Sequence, residues 1–529
     1  MTSSDQPARP DPSRGAAPPD AQNTELEAAF ARTARDGTTG EAATATTTGG
    51  VDRSAVGRWF GVRRSGSTFG REIRGGLVTF VTMVYIVVLN PLIIGTVPDA
   101  TGGFLGGGAG PDLAAVAAVT ALVAGVMTLV MGIVGRYPFA MAAGLGLNAF
   151  VAYQVASQMS WAAAMGLIVI EGLVICLLVV TGFRTAVMNA IPAPLKKAIA
   201  AGIGLFLALI GFVDAGFVQA GAGTPLQLGP DGQLGGWPIL VFIVGLLLTA
   251  VLMARKVTGG ILIGIGVATV LAMIIEAIAD IGAGGPDNPT GWHLNVPSFA
   301  GKEWGLPDLQ LLGNFSLGAG ISTAGVLTVV VLVFSLLLSD FFDSMGTTIG
   351  LASEGRMLDK DDKLPRVGTV LLVDGAGAVA GGAASSSSAT IFAESAAGIG
   401  EGARTGLASV VTGVLFLITV FLAPLAQLVP SEAAAPALVV VGVLMMAQVK
   451  DIKWDDFTTS LPAYLTIVLM PFTYSITTGV GAGFISYVVL QVATGRIRKI
   501  HPLLWIVTVL FVLYFAITPI ETWLGVVRG

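Results

Sequence analysis

The sequence predicts an all-α polytopic membrane protein, and three observations carry that prediction. Hydrophobic residues make up 54% of the chain and charged residues 12%, with a mean hydropathy of +0.81, a balance foreign to soluble domains. Apolar runs recur from Ile73 onward, each of about 17–25 residues, the length that crosses a hydrocarbon core about 30 Å thick as a helix. The runs are continuously apolar, whereas the strands of a membrane barrel alternate polar and apolar residues, so a barrel is excluded.

Residues 1–68 are rich in Ala, Thr, Gly, Pro and Asp and hold no apolar stretch behind a basic start. They read as a disordered cytoplasmic tail. Arg58, Arg63, Arg64, Arg71 and Arg74 sit at the entry to the first span and keep the N-terminus in the cytoplasm. Spans are expected at roughly 75–96, 112–134, 139–155, 160–181, 194–213, 237–254 and 259–279, which places a first seven-span repeat in 69–280. An extracellular loop follows at 281–323. A second repeat, 324–495, has spans near 324–349, 367–384, 386–402, 405–428, 433–449, 459–475 and 477–495. The last two are parted only by Pro471 and Gly479, which interrupt one apolar block. The C-terminal segment 496–529 carries one further apolar helix, about 503–520, that either spans the membrane or lies at its surface.

Charge supports this order of spans. The expected cytoplasmic loops carry Arg136, Arg184, Lys196, Lys197, Arg255, Lys256, Arg356, Lys360, Lys363, Arg366, Arg404, Lys450 and Lys453, while the outer loops carry Lys302 alone. Seven spans is an odd number, so two repeats of seven must be inverted relative to one another. Ile191-Pro192 leads into 198–208 as Val429-Pro430 leads into 436–446. The third and tenth spans are also alike, both short and interrupted by glycine, and interrupted spans at matching positions point to a binding site.

A carboxylate at the bilayer centre costs about 2.5–3.5 kcal/mol on insertion scales, so each one there needs a reason. Asp340 and Asp343 are three apart in Ser339–Gly346 and are expected on one helix face, where two like charges would favour proton uptake. The other reading is a cap at the cytoplasmic end of the eighth span. Glu394 lies among small residues in the interrupted tenth span, and a carboxylate accepts the N–H groups that a heteroaromatic edge offers. Asn148 holds the matching place in the third span and both donates and accepts. Either residue could instead satisfy the backbone of its own broken helix. Asp374 faces Gly375, Gly377, Gly381 and Gly382, which fits a tie between close helices as well as a functional acid. Glu171, midway along the fourth span, reads as structural, and Glu276 as an acid solvated at the outer end of the seventh. His293 and His501 fall in loops, away from a buried relay.

Other classes lack their signatures. A lone Cys176 allows no intrachain disulfide, and no basic stripe suits nucleic acid. No G-x-x-x-x-G-K-[ST] segment implies coupling to ATP, and no Cys/His metal spacing or Ser-His-Asp arrangement implies an enzyme, a metal or a cofactor. An ion gradient is then the expected driving force.

Several segments carry a resemblance. Phe69-Gly70-Arg71-Glu72-Ile73-Arg74-Gly75-Gly76-Leu77-Val78-Thr79-Phe80 with Asn90-Pro91, Gly144–Phe150, Ser339–Gly346, Glu394–Gly398 and Gly402-Ala403-Arg404-Thr405-Gly406 resemble the azaguanine-like purine permeases of the nucleobase/ascorbate transporter superfamily, across about residues 69–520. The resemblance implies about 14 transmembrane helices as two inverted seven-span repeats, with spans one to four and eight to eleven as core domain and the others as gate domain. Short strands in the third and tenth spans would flank the substrate. It implies import of adenine, guanine and hypoxanthine with protons through the plasma membrane. Asn148, Asp340 and Glu394 would hold the purine, Asp343 would serve coupling, and Asp374 is the next coupling candidate. The expected partners are a purine nucleobase, a proton, the lipid bilayer and a second copy in a homodimer, with no nucleic acid. The long tail and the Ser385–Ser388 run depart from the family pattern, and the serines would tune the choice of purine. Competing expectations are an anion carrier or a uracil/xanthine carrier of the same fold, and a channel or non-transporting membrane protein.

Overall fold

The computed structural model describes residues 54–523 apart from 182–191, 222, 286, 301–304 and 360–363. Most of the expected tail, Arg184, Ile191, Lys302, Lys360 and Lys363 therefore lie outside the described residues. The described end of the tail corrects the expectation of disorder to residue 68. Ser54 accepts the Gly57 amide and caps α1 (Ala55–Phe60), which closes on Gly61 in the left-handed region at φ 66°. The Arg136 guanidinium lies 4.3 Å from the Trp59 ring centroid, so α1 docks by a cation–π contact.

The first span is two helices, α2 (Phe69–Met83) and α3 (Ile86–Ile94), which part at Val84 and Tyr85. Thr68 accepts the Arg71 amide to start α2, and Glu72 in its first turn is buried. α4 (Leu113–Val130) starts on Asp112, whose carboxylate accepts the Ala115 amide at 3.0 Å. The third expected span is not one helix. It is β1 (Met141–Ala143) followed by α5 (Leu145–Phe150). Then come α6 (Trp161–Val180), α7 (Ala193–Asp214), a hairpin of β2 (Val218–Gln219) and β3 (Gln227–Leu228), α8 (Trp237–Ala254) and α9 (Gly260–Ala279). The second half holds α10 (Ala319–Ala324), α11 (Val326–Glu354), α12 (Val367–Ala383), β4 (Ala389–Ile391), α13 (Ser395–Gly400), α14 (Gly406–Thr419), α15 (Ser431–Met446), α16 (Phe457–Phe472), α17 (Ile476–Ala493) and α18 (Pro502–Trp523).

Among the described residues ten helical segments are long and apolar enough to cross a membrane, and Val367–Ala383, Phe457–Phe472 and Pro502–Ala516 are shorter apolar helices. Each of the fourteen expected segments falls on one of these helices or on a strand-and-helix unit. The indistinct boundary near Pro471 is a break at Thr473–Ser475, with Tyr474 at φ 53°. α18, the helix left over beyond the second repeat, packs on α17 and α11.

Packing carries the mark of an inverted duplication. α4 lies on α14, and α12 lies on α6. These are the same contact made twice, the second span of one half on the fourth of the other. α7 lies on α15, the fifth span of each half, as a contact on a twofold must. Glycines permit each approach: a Cβ on Gly413 would sit 2.8 Å from the Gly125 carbonyl oxygen, one on Gly172 2.8 Å from that of Gly375, and one on Gly442 2.5 Å from that of Gly204. α7, α8, α9, α15, α16 and α17 pack among themselves as one group. α2, α3, α4, α6, α11, α12, α13 and α14 form the other, which is the expected division into gate and core.

Candidate functional site

The two interrupted spans meet at their strands. β1 and β4 pair antiparallel with Met141 opposite Ile391, Ala142 opposite Thr390 and Ala143 opposite Ala389. The pairing continues as Phe392 donates its amide to Ala140 O at 2.9 Å and Gly144 donates to Ser388 O at 3.0 Å. These buried three-residue strands satisfy their backbone groups on one another and on a side chain, since Thr128 Oγ1 accepts the Met141 amide at 2.9 Å and donates to Met141 O at 3.0 Å. The preceding serines turn tightly, with Ser385 at φ 55° and Ser387 at φ 68°. A Cβ on Gly381 would lie 1.8 Å from Ser387 O, so α12 touches this backbone directly.

Asn148 is fully buried in α5. Its Nδ2 donates to Asn90 Oδ1 at 2.7 Å, and its own Oδ1 is buried without a hydrogen-bond partner. Asn90 in turn donates to Thr120 Oγ1 at 2.7 Å and to Ser386 O at 3.1 Å. One Asn148 acceptor is thus held in place and unspent. Glu394, half-buried between β4 and α13, accepts a hydrogen bond from the Tyr85 hydroxyl at its Oε1. Tyr85 occupies the break between α2 and α3, so the split first span delivers a donor to the tenth.

Asp340 on α11 is fully buried and accepts from Ser344 Oγ at 3.2 Å and from Ser388 Oγ at 2.9 Å. Ser344 Oγ lies 2.6 Å from Thr390 Oγ1, and Thr390 Oγ1 lies in hydrogen-bond contact with Asp374 Oδ1 at 3.3 Å. Asp374 is therefore joined to Asp340 through two hydroxyls. The expected Asp340–Asp343 pair is divided. The three-residue step turns Asp340 into the core and Asp343 to an exposed position, from which it still feels Asp340 and Glu394. The acids nearest Asp340 inside the core are Glu171 and Asp374. Glu171, read from the sequence as structural, is fully buried with no hydrogen-bond partner of good geometry on either oxygen.

Two motifs far apart in sequence meet beside this site. Buried Glu72 accepts the amides of Arg404 and Thr405 at 2.9 and 3.3 Å, joining α2 to the linker between α13 and α14. At the C-terminal end of α9 and the loop after it the sequence reading is corrected twice. Glu276 is buried and accepts from Trp292 Nε1 at 2.7 Å and from the Ile281 and Gly282 amides, so it holds the loop. His293 is drawn from its loop onto fully buried Glu432, with Nδ1 at 2.9 Å and the backbone amide at 3.0 Å from Oε1. The hydrogen bond to Glu432 raises the His293 pKa above its ordinary value against the pull of burial, with the Glu432 and Asp214 charges adding to the rise. A cavity of about 550 Å³ is lined by Arg136, Arg356, Arg366 and Arg404.

The structure thus places Asp340 and Asp374 in one hydrogen-bonded chain and Asn148 and Glu394 on the two interrupted spans of this candidate site, with Asp343 exposed at its rim. Tyr85, Asn90, Ser344, Ser388 and Thr390 were missed as its partners. Ser344 lies inside a segment that drew notice for its acids, whereas nothing near Tyr85 marks it.

Residues 70–482 match the model of a protein family described as the permease family. The guanine/hypoxanthine permease PbuG of Bacillus subtilis is 38% identical over 458 residues, covering 85% of this chain and 97% of that protein. The adenine permease AdeP of Escherichia coli is 37% identical over 465 residues, covering 86% and 95%. Among solved structures, the transmembrane domain of the cyanobacterium bicarbonate transporter BicA aligns with a TM-score of 0.53 at 14% identity, over 78% of this chain and 97% of that one, a likeness of fold.

Proposed function

The chain belongs to the permease family, and from that premise we propose that it imports purine nucleobases, namely hypoxanthine, guanine and adenine, by proton symport across the plasma membrane. It is a transporter and not an enzyme. The observation that carries the substrate is its likeness to a guanine/hypoxanthine permease and an adenine permease over nearly their whole lengths. The geometry supports it. Polar groups from both halves converge at the β1–β4 crossing: Glu394 and Asp340 accept N–H groups, and the spare Asn148 carbonyl accepts a third. A set dominated by carboxylates repels an anion, so the fold likeness to a bicarbonate transporter does not extend to its cargo.

In this reading the halves 69–280 and 324–495 are the inverted repeats, 281–323 faces outside, the tail is cytoplasmic, and two copies pair as a homodimer. Asp343, at the rim, and Asp374, in the core, serve coupling. Proteoliposomes loaded to give an inward proton gradient test the proposal. Labelled hypoxanthine should accumulate, guanine and adenine should compete, and uracil, xanthine and bicarbonate should not. Accumulation driven by sodium alone would overturn the coupling, and uptake indifferent to guanine and adenine would overturn the substrate.

A further inference from the structure

We infer that Ser344 and Thr390 form a proton wire between Asp340 and Asp374, and that one proton resides on that chain of four side chains. The inference rests on the proton-symport reading for its use, but its basis is a count of hydrogens. Asp340, Ser344, Thr390 and Asp374 make three successive contacts, of 3.2, 2.6 and 3.3 Å. Each hydrogen bond needs one hydrogen. Two hydroxyls supply two, and carboxylates supply none. The Ser388 hydroxyl cannot make up the shortfall, because it donates to the other oxygen of Asp340. The third hydrogen is therefore on a carboxyl group, and one of the two aspartates is an acid. Burial agrees, since all four side chains are buried and two bare charges so close together in a low dielectric would be costly.

The same chain lets that proton move. With the acid hydrogen on Asp374, Asp374 donates to Thr390, Thr390 to Ser344 and Ser344 to Asp340. If each hydrogen advances by one oxygen, O–H bonds break on Asp374, Thr390 and Ser344 and form on Thr390, Ser344 and Asp340. The hydroxyls end as they began, and the net change is one proton carried from Asp374 on α12 to Asp340 on α11. Thr390 stands opposite Ala142 at the centre of the strand pair, so the wire passes through the joint between the two interrupted spans. The other titratable groups facing the pair are Glu171 and Cys176 from α6, Asp343 from α11, and Glu394 from the turn after β4. Glu171 stands within hydrogen-bond reach of Asp340, and a hydrogen held between those two carboxyls is spent on that contact and supplies none to the three contacts of the chain.

The test uses the full chain in proteoliposomes. Thr390→Val keeps the shape of the side chain and removes the wire's hydroxyl, and Thr390→Ser returns it. Thr390→Val should lose pH-driven accumulation by a far larger factor than it loses hypoxanthine binding, and Thr390→Ser should regain accumulation. Infrared difference spectra of the unmutated protein should show a buried carboxylic acid C=O band that shifts in deuterated water, disappears in Asp374→Asn and moves in Thr390→Val. Wild-type accumulation by Thr390→Val, or the absence of such a band from the unmutated protein, overturns the wire. Failure of the unmutated protein to accumulate purine under a proton gradient, with the band present, overturns the symport reading instead and leaves the resident proton standing.

Discussion

Glu394 and Tyr85 show how a single contact sets the chemistry of the site. A hydrogen bond to a charged group is worth about 1.5–3 kcal/mol, so replacing the acceptor should be felt as about a tenfold or greater loss of affinity. Glu394→Gln is expected to weaken hypoxanthine binding to that degree, and Tyr85→Phe to weaken it less, because the carboxylate remains. Equilibrium binding to the purified variants measures both, and wild-type affinity in Glu394→Gln would remove Glu394 from the site. The acids and Asn148 were legible in the sequence because a charged or amide group deep in an apolar run is costly and therefore conspicuous. Their partners were not. Tyr85 meets Glu394 across 309 residues of chain, and no local pattern encodes a distance between spans. At Asp343 the three-residue step does keep its carboxylate within the field of Asp340, but it divides buried from exposed because that face lies at the edge of the packing, which spacing alone does not tell.

At the scale of elements, the strand crossing depends on helices that come very close to it. Gly381→Ala places a methyl group 1.8 Å from Ser387 O, backbone that cannot move aside, whereas Gly400→Ala meets nothing within 4 Å. Overpacking of this kind costs about 1–3 kcal/mol. Gly381→Ala should lower the melting temperature of the detergent-solubilised protein and Gly400→Ala should leave it unchanged, a contrast that thermal unfolding by tryptophan fluorescence can read. Helices were legible because a run of apolar residues reports its own length. The break of the first span at Val84–Tyr85 was not, since an apolar run reads the same whether its helix is whole or split. Strands of three residues fall below any periodic signal, and only family resemblance led to β1 and β4.

For the whole molecule, orientation and pH are the accessible readouts. A cysteine placed within 220–230 on a Cys176→Ala background should react with a membrane-impermeant maleimide from outside alone; reaction from the cytoplasmic side only would invert the topology. The loop around His293 is joined to α15 through Glu432. Because the folded pKa of His293 is raised, this contact contributes stability that is fully present below the unfolded pKa of about 6.5 and is lost as pH rises through the folded value. Melting temperature should therefore fall on passing from mildly acidic to alkaline buffer, and His293→Gln should flatten that part of the profile. An unchanged profile in the variant would show that the contact carries no pH dependence.

The reciprocal packing of α4 on α14 and of α12 on α6 has a consequence for biogenesis. Ribosomes deliver the first half to the bilayer before the second exists, yet the glycine faces of α4 and α6 find their close partners only there. The nascent first half must wait among lipids with those faces unmatched, and completion of the fold must involve interleaving two sets of inserted helices rather than docking two finished domains. Separately encoded halves should then be degraded when made alone and rescued when made together.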